Sequence, residues 1–361
     1  MRPPFCPNAD CPFHCEKPFG DWFAKTGSRY TLKNPRGEQK YRCKICLKGF
    51  STATLRLDFR HRSIDSFEHI FNQSTQGLSN RSIARILNLS EGNVRNKIDH
   101  MARQSLLNME KETHKLKIKE DLAYDGFETF TYSQYDPNNI NHLVGKDSLF
   151  VYDFNFANLN RKGRMTESQK DKLQQLVEEH ERYPTNLIRE SSAKIFNRLS
   201  KKIDGAVILY TDEHKSYDLA LRRDVNCPRI IHHQINSKRC RNSKNPLFPV
   251  NHLDMKIRHF LKSCTRETIA FNKSEAGLMS RLCMFIAQKN FMRGKLIKGN
   301  QQYHKESPAM ILGITSRIMT FWEFFKRRIT SVQVKLRSCW RDIYFKKFKH
   351  SRREIVAYGG V

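Results

Sequence analysis

Between residues 63 and 104 the apolar positions recur at helical spacing. Ile64, Phe67, Ile70 and Phe71 share one face of a first helix. Ile83, Ala84 and Leu87 form the inner face of a second, Leu89 fills the turn, and Val94 and Ile98 anchor a third. Ser79 and Ser90 stand where N-caps belong, because a hydroxyl there accepts from a first-turn N–H that has no helical partner. After a polar stretch at 109–119 the period changes. Residues 122–130 alternate like a strand, and 148–154, 206–213 and 229–235 read as further strands. Charge-rich helices are expected over 166–182 and 186–202, and later ones near 250–262 and 275–292. Strands mixed with helices make the fold class α/β.

Composition then narrows the partner. The 361 residues carry 65 Lys and Arg against 36 Asp and Glu, a net charge of +29. That excess exceeds what solubility needs and implies a polyanion. No apolar run is long enough for a membrane span, and the first residues lack the apolar region of a signal peptide. A basic membrane-surface protein would need an amphipathic basic helix with a clean apolar face, which the pattern does not offer.

Cysteine spacing supplies the first candidate chemistry. Cys6 and Cys11 form one short pair, and Cys43 and Cys46 form another before Gly49 and Phe50. Two such knuckles joined by a strand-rich spacer are what a tetrahedral thiolate site for structural Zn²⁺ requires. His14 and Cys15 are spare candidates for the first pair. The spacer is basic, with Lys25, Arg29, Lys33, Arg36 and Lys40, which suits a nucleic-acid reader. Cys227, Cys240, Cys264, Cys283 and Cys339 show no paired spacing, a pattern that suits a reducing compartment.

The helical stretch resembles the helix-turn-helix of DNA-binding proteins. In that arrangement the helix after Ser90 enters the major groove by its N-terminal turns. Asn93, Arg95, Asn96 and Lys97 are then the candidate DNA contacts, and Arg81 and Arg85 face the backbone from the preceding helix.

Asp125 in mid-strand and Asp212 at a strand end are the second candidate chemistry. A carboxylate among apolar strands is costly unless paired or bound to metal. Two of them invite a shared Mg²⁺ or Mn²⁺, whose preferred ligands are hard oxygens. Metal ions held in this way catalyse in-line phosphoryl transfer.

The order of motifs resembles the DDE-type transposases of bacterial insertion sequences. It comprises a zinc ribbon, a helix-turn-helix, Tyr124-Asp125-Gly126, Tyr210-Thr211-Asp212, and Asn245 to Arg258. Arg266-Glu267-Thr268, Arg281 to Phe291 and Ser307-Pro308-Ala309-Met310 follow in the same order. The likeness spans roughly residues 1–320. It implies a zinc-ribbon module at 1–58, a helix-turn-helix at 59–118, an RNase H-like catalytic domain at 119–300, and a basic, aromatic tail at 301–361. It implies a mixed five-stranded sheet, with the first Asp on the first strand and the second after the fourth. It also implies metal-dependent cleavage and strand transfer at the ends of a mobile element, oligomers on paired double-stranded DNA, and a prokaryotic cytoplasmic, nucleoid-associated location.

The third active-site residue departs from the family pattern. Counting seven back from Arg258 gives Asn251 where Glu is usual. Asn251 and Asp254 share a helical face, and either may be the ligand; Glu267 and Glu275 are further alternatives, as is an inactive enzyme that only binds DNA. His252 and Lys256 either orient phosphate or are solvated. Arg239, Arg241 and Lys244 precede that helix and are expected to hold DNA. Basic residues from Lys326 to Arg353 alternate with aromatics, as in a DNA groove or a partner interface. An RNA-binding protein fits the charge but not the paired carboxylates.

Overall fold

The computed structural model describes residues 2–16, 18–31, 34–59, 61, 66–236, 238–265, 270–298 and 303–348. Near the start, a short helix α1 (Pro12–Cys15) precedes strands β1 (Phe23–Thr31), β2 (Asn34–Cys43) and β3 (Gly49–Ser51). They form a three-stranded antiparallel sheet in the order β1-β2-β3. Phe13, Trp22 and the cysteines make its small core, with Trp22 stacked on Phe50. Its apolar content is small for a sheet that stands on its own.

Three helices follow: α2 (Ser66–Thr75), α3 (Asn80–Ile86) and α4 (Glu91–Thr113). Both expected caps form. Ser79 Oγ accepts from the N–H of Ser82, and Ser90 Oγ accepts from the N–H of Asn93. Phe67, Ile70, Phe71, Ile83, Val94 and Ile98 are buried, as their spacing predicts. The stretch at 109–119 begins as the last turns of α4. Ser63 and Ile64 lie outside the described residues.

The large sheet is built from β4 (Leu122–Phe130), β5 (Pro137–Gly145), β6 (Val151–Asn158), β7 (Val207–Thr211) and β8 (Ile230–Gln234), with α5 (Glu167–His180) and α6 (Leu187–Lys202) between β6 and β7. A short α7 (Lys215–Leu219) separates β7 from β8. The strand order is β6-β5-β4-β7-β8. The first three strands run antiparallel to their neighbours, while β7 is parallel to β4 and β8 to β7.

The strand β5 is absent from the sequence reading. Its Asn138, Asn139 and Asn141 disfavour a strand locally. Burial reverses that, because the amides find partners: Asn139 donates to Asn141 at 2.8 Å, Asn141 to Asn155 at 2.9 Å, and Asn155 to the Ser191 carbonyl at 2.7 Å. The chain passes close at Gly126, where a Cβ would meet the Asn139 side chain at 2.3 Å.

Alternation along β4 sends its residues to two layers. On one face Tyr124 donates to Ser192 Oγ at 2.7 Å and packs edge-on against Phe196 of α6. On the other face Asp125 and Phe127 lie toward α8 (Phe248–Phe260), whose Arg258 guanidinium sits 4.6 Å over the Phe127 ring. Helix α9 (Glu275–Ala287) runs on into a π-helical turn, Gln288–Met292, and packs along α4. A hairpin of β9 (Lys295–Lys298) and β10 (Tyr303–Glu306) comes next, followed by the short helices α10 (Pro308–Ile311), α11 (Phe321–Phe324) and α12 (Ser338–Tyr344).

One hydrophobic core runs from Phe67 through the five-stranded sheet to Ile343. The described part of the C-terminal stretch, residues 303–348, therefore packs into the body. Phe321 and Phe325 pack on Phe71, and Trp340 donates to the Phe154 carbonyl at 3.1 Å. Arg337 pairs with Glu110 at 2.7 Å and Asp153 at 3.0 Å, and Arg198 with Glu110 at 3.2 Å. Two guanidinium groups thus balance two buried carboxylates, which is the condition for burying either.

Candidate metal, DNA and carboxylate sites

Cys6, Cys11, Cys43 and Cys46 converge. All their sulfurs lie within 4.8 Å of one another, with Cys6 to Cys46 at 3.6 Å and Cys11 to Cys43 at 3.8 Å. Four thiolates ~2.3 Å from one tetrahedral ion are about 3.8 Å apart, so the cluster fits Zn²⁺. None of the four is in a disulfide. Burial raises the Cys6 and Cys11 thiols, opposed by backbone N–H groups of Asn8 and Phe13 directed at the sulfurs. At Cys46 burial is outweighed by the Lys48 N–H and neighbouring side chains, which bring it to about 7. His14 is no ligand: Nδ1 lies 2.8 Å from the Cys6 carbonyl and Nε2 3.3 Å from Thr330 Oγ1. The Cys15 side chain lies outside the described residues, as do Lys33 and the Arg36 side chain.

The helix-turn-helix candidates divide. Arg85, Arg95 and Asn96 are exposed, Asn93 is half-buried, and exposed Arg81 pairs with Glu91 at 3.2 Å. Lys97 is a correction. It is 1 % exposed, its ammonium donates to Ser66 Oγ and sits 5.0 Å over the Phe67 ring, so it faces the core. Its position three residues before His100 carries it round to the buried side of α4. If α4 docks DNA as the resemblance implies, Arg95→Ala should flatten the salt dependence of that affinity by about one unit of slope, whereas Lys97→Ala should lower Tm and leave the slope unchanged. A titration at several salt concentrations checks both.

Arg281, unassigned in the sequence reading, holds the turn between α2 and α3. It donates to the Leu78 carbonyl at 2.9 Å and to Asn80 Oδ1 at 2.6 Å. The helices are thereby fixed to α9 rather than hung on a linker.

The carboxylates lie near one another beside β4, the middle strand of the large sheet. Ala123 of β4 pairs with Tyr210 of β7, and Asp212, just past the end of β7, is near enough to Asp125 to raise its pKa. Asp125 also pairs with His142 of β5. Directly opposed residues share a face, so His142 and Asp125 face α8 together. There Asp254 approaches His142 Nε2 to 3.1 Å. Burial, then Asp212 and Asp254, push the Asp125 carboxyl up to about 7. Burial alone would lower the His142 pKa, but Asp254 and Asp125 raise it. Burial with Tyr124, Asp125 and Asp212 nearby lifts the Tyr217 hydroxyl well above its usual value. Asp212 itself accepts from the His214 N–H at 3.0 Å.

Among the described residues, only the cysteines form a group of three or more potential ligands within 4.8 Å. The carboxylates are neighbours electrostatically without being drawn together. Their donor set is nevertheless the kind that suits an oxygen-seeking divalent ion, since three acidic groups repel one another around a half-buried Asp125.

Of the described third-residue candidates, Asp254 is among the charges acting on Asp125 and His142. Asn251 lies about one turn earlier on the same helix. Glu275 is buried at the start of α9, 3.4 Å from Asn158 at the end of edge strand β6. Glu267 lies outside the described residues with Arg266 and Thr268. His142 was missed, because strand register cannot be read from one strand's sequence.

Arg239, Arg241 and Lys244 are exposed on a loop before α8, which the buried Asn245 ties by donating to the Cys240 carbonyl at 2.9 Å. Among the C-terminal basic residues Lys326, Arg327, Lys335 and Arg341 are exposed, and Arg337 is in the ion-pair network. Lys349, Arg352 and Arg353 lie outside the described residues. No helix among the described residues is long and apolar enough to cross a membrane.

No family model matches the chain, and a search of curated proteins finds no match either.

Proposed function

We propose that the chain is a DNA strand transferase of the DDE transposase type, with an RNase H-like sheet as its catalytic body. The observation that carries this reading is that Asp212, just past β7, and Asp254 of α8 lie near enough to Asp125 of β4 to raise its pKa, beside a sheet ordered β6-β5-β4-β7-β8. That order has two parallel strands added beside the first strand of an antiparallel meander. It brings the centre of β4 and the end of β7 together, where a phosphodiester would have to reach both carboxylates.

Asp125 and Asp212 would hold Mg²⁺ or Mn²⁺, which would supply activation of an attacking oxygen and charge neutralisation of a leaving one. The chain's own residues do the rest. Asp125 and Asp212 are the ligands, with Asp254 as the third acidic group in place of Asn251. His142 fixes the Asp254 carboxylate. Arg85, Arg95 and Asn96 dock duplex DNA, and Arg241 holds a strand near the carboxylates. The zinc-fitted cysteine module shapes the N-terminal reader. Oligomers on paired element ends belong to the same reading.

The test is nicking of a plasmid that carries the DNA flanking the gene, with Mg²⁺ or Mn²⁺ as the sole divalent ion. Asp254→Ala should reduce nicking by roughly 10²-fold or more and Asn251→Ala by less than about tenfold. Sequence-specific binding by the parent with no nicking in either metal would replace the proposal with a non-catalytic DNA-binding protein.

A further inference from the structure

The face of α8 turned away from the carboxylates carries a different chemistry. Residues 252 and 256 lie one turn apart, on the opposite side of the helix from Asp254. They line a cavity of about 130 Å³ closed by Lys289 and Arg293 of the segment after α9 and by Lys295 at the start of β9. Leu149, Phe260, Phe285 and Pro308 form its apolar walls. Among the described residues no carboxylate lines it. Glu306 stands opposite Lys295 across the hairpin but is not part of the wall.

Five nitrogen-bearing side chains thus line one partly open cavity, with no carboxylate among its lining residues. Lys289 is 5 % exposed, and its ammonium donates to the Leu149 carbonyl. Arg293 rests 4.2 Å over the Phe260 ring, which leaves its N–H edge for another acceptor. The buried Nδ1 of His252 has no hydrogen-bond partner, and its ring stacks on Phe248. The crowding has an electrostatic cost. Burial, then Lys256 and Lys295, lower Lys289 to about 7. Burial followed by Lys256, Lys289 and Lys295 lowers His252 to about 4. Clustered cations are expensive to bury, and an anion between them reverses the penalty. A phosphate group offers several acceptor oxygens to these converging donors.

We propose that this cavity is a phosphate-binding site, held by Lys256, Lys289, Arg293 and Lys295, that takes its phosphate from a DNA backbone or from a free phosphorylated small molecule. The inference goes beyond the catalytic reading and does not depend on it, since its readout is binding alone.

The test is isothermal titration of the full, zinc-loaded chain with inorganic phosphate, alone and with a saturating short duplex. Wild type should bind one phosphate per chain. The partly exposed Lys256→Gln and Arg293→Gln variants should bind it at least about tenfold more weakly. Their Tm should hold or rise, because like-charge repulsion is relieved. Phosphate displaced by duplex, with a shallower salt slope for duplex in the variants, identifies a DNA phosphate as occupant. Phosphate retained in the presence of duplex identifies a small phosphorylated ligand. No phosphate heat in wild type, or equal affinity in wild type and both variants, overturns the site.

Discussion

Asp125→Asn should leave DNA affinity intact and lower the rate of cleavage by roughly 10³-fold or more, as expected when one member of a cooperating catalytic set is lost. Asp212→Asn should do the same. Undiminished Mg²⁺-dependent cleavage by both variants would sink the proposed chemistry. Asp125 also makes a second, independent forecast. Its carboxyl is raised from 3.8 to about 7 in the folded protein by burial and by its acidic neighbours. Between those values the folded chain keeps a proton that the unfolded chain has released. Stability therefore falls as pH rises through that window, and the whole penalty is present by pH 8. It amounts to at most about 4 kcal/mol.

Removing the charge removes the penalty. The Asn variant should melt higher than its parent at pH 8, and the gap should shrink by about half near pH 5.5. Mg²⁺ should raise the Tm of the parent at pH 8 and do so less in the variant, because the ion screens the same repulsion. A parent and variant with equal Tm at both pH values would show that Asp125 is not crowded by Asp212 and Asp254. Calorimetry with and without Mg²⁺ reads both arms.

Cys43→Ser should have the largest structural effect. Cys43 is fully buried in the thiolate cluster, and a handful of aromatics, Phe13, Trp22, Phe23, Tyr41 and Phe50, make the apolar core of this module. Structural zinc contributes on the order of 10–16 kcal/mol of apparent binding free energy in small modules, far more than this core can supply. The variant should lose its zinc, measured as metal content per chain, and the near-ultraviolet signal of Trp22 should collapse. Chelation of the parent should reproduce both changes. The core from Phe67 to Ile343 should persist, with its own melting transition. DNA affinity should fall with the module under the proposed function. A Cys43→Ser chain that retains one zinc and a native Trp22 signal would refute the four-cysteine site.

What could be read from the sequence was local. Ser79 and Ser90 cap helices because capping depends on a few neighbouring residues. Cys6, Cys11, Cys43 and Cys46 announced a ligand set by spacing alone, because a knuckle is a short-range turn. Asp125 and Asp212 stood out because a charge in an apolar run is awkward whatever packs on it.

The remainder depended on which segments meet. The Asn-rich β5 became a strand only because Asn155 and the Ser191 carbonyl supply partners from elsewhere in the chain. Lys97 looked like a DNA contact, but the roll of α4 against α2 buried it under Phe67 and Ser66. Arg337 read as part of a basic tail and became the counter-charge of Glu110 and Asp153. The order of the large sheet decided the rest. Non-local strand pairing sets His142 opposite Asp125, and the packing of α8 then brings in Asp254. Residue type and spacing carry short-range preferences, while register and helix roll are settled by burial across distant segments, and so the sequence named the carboxylates but only the tertiary structure joined them.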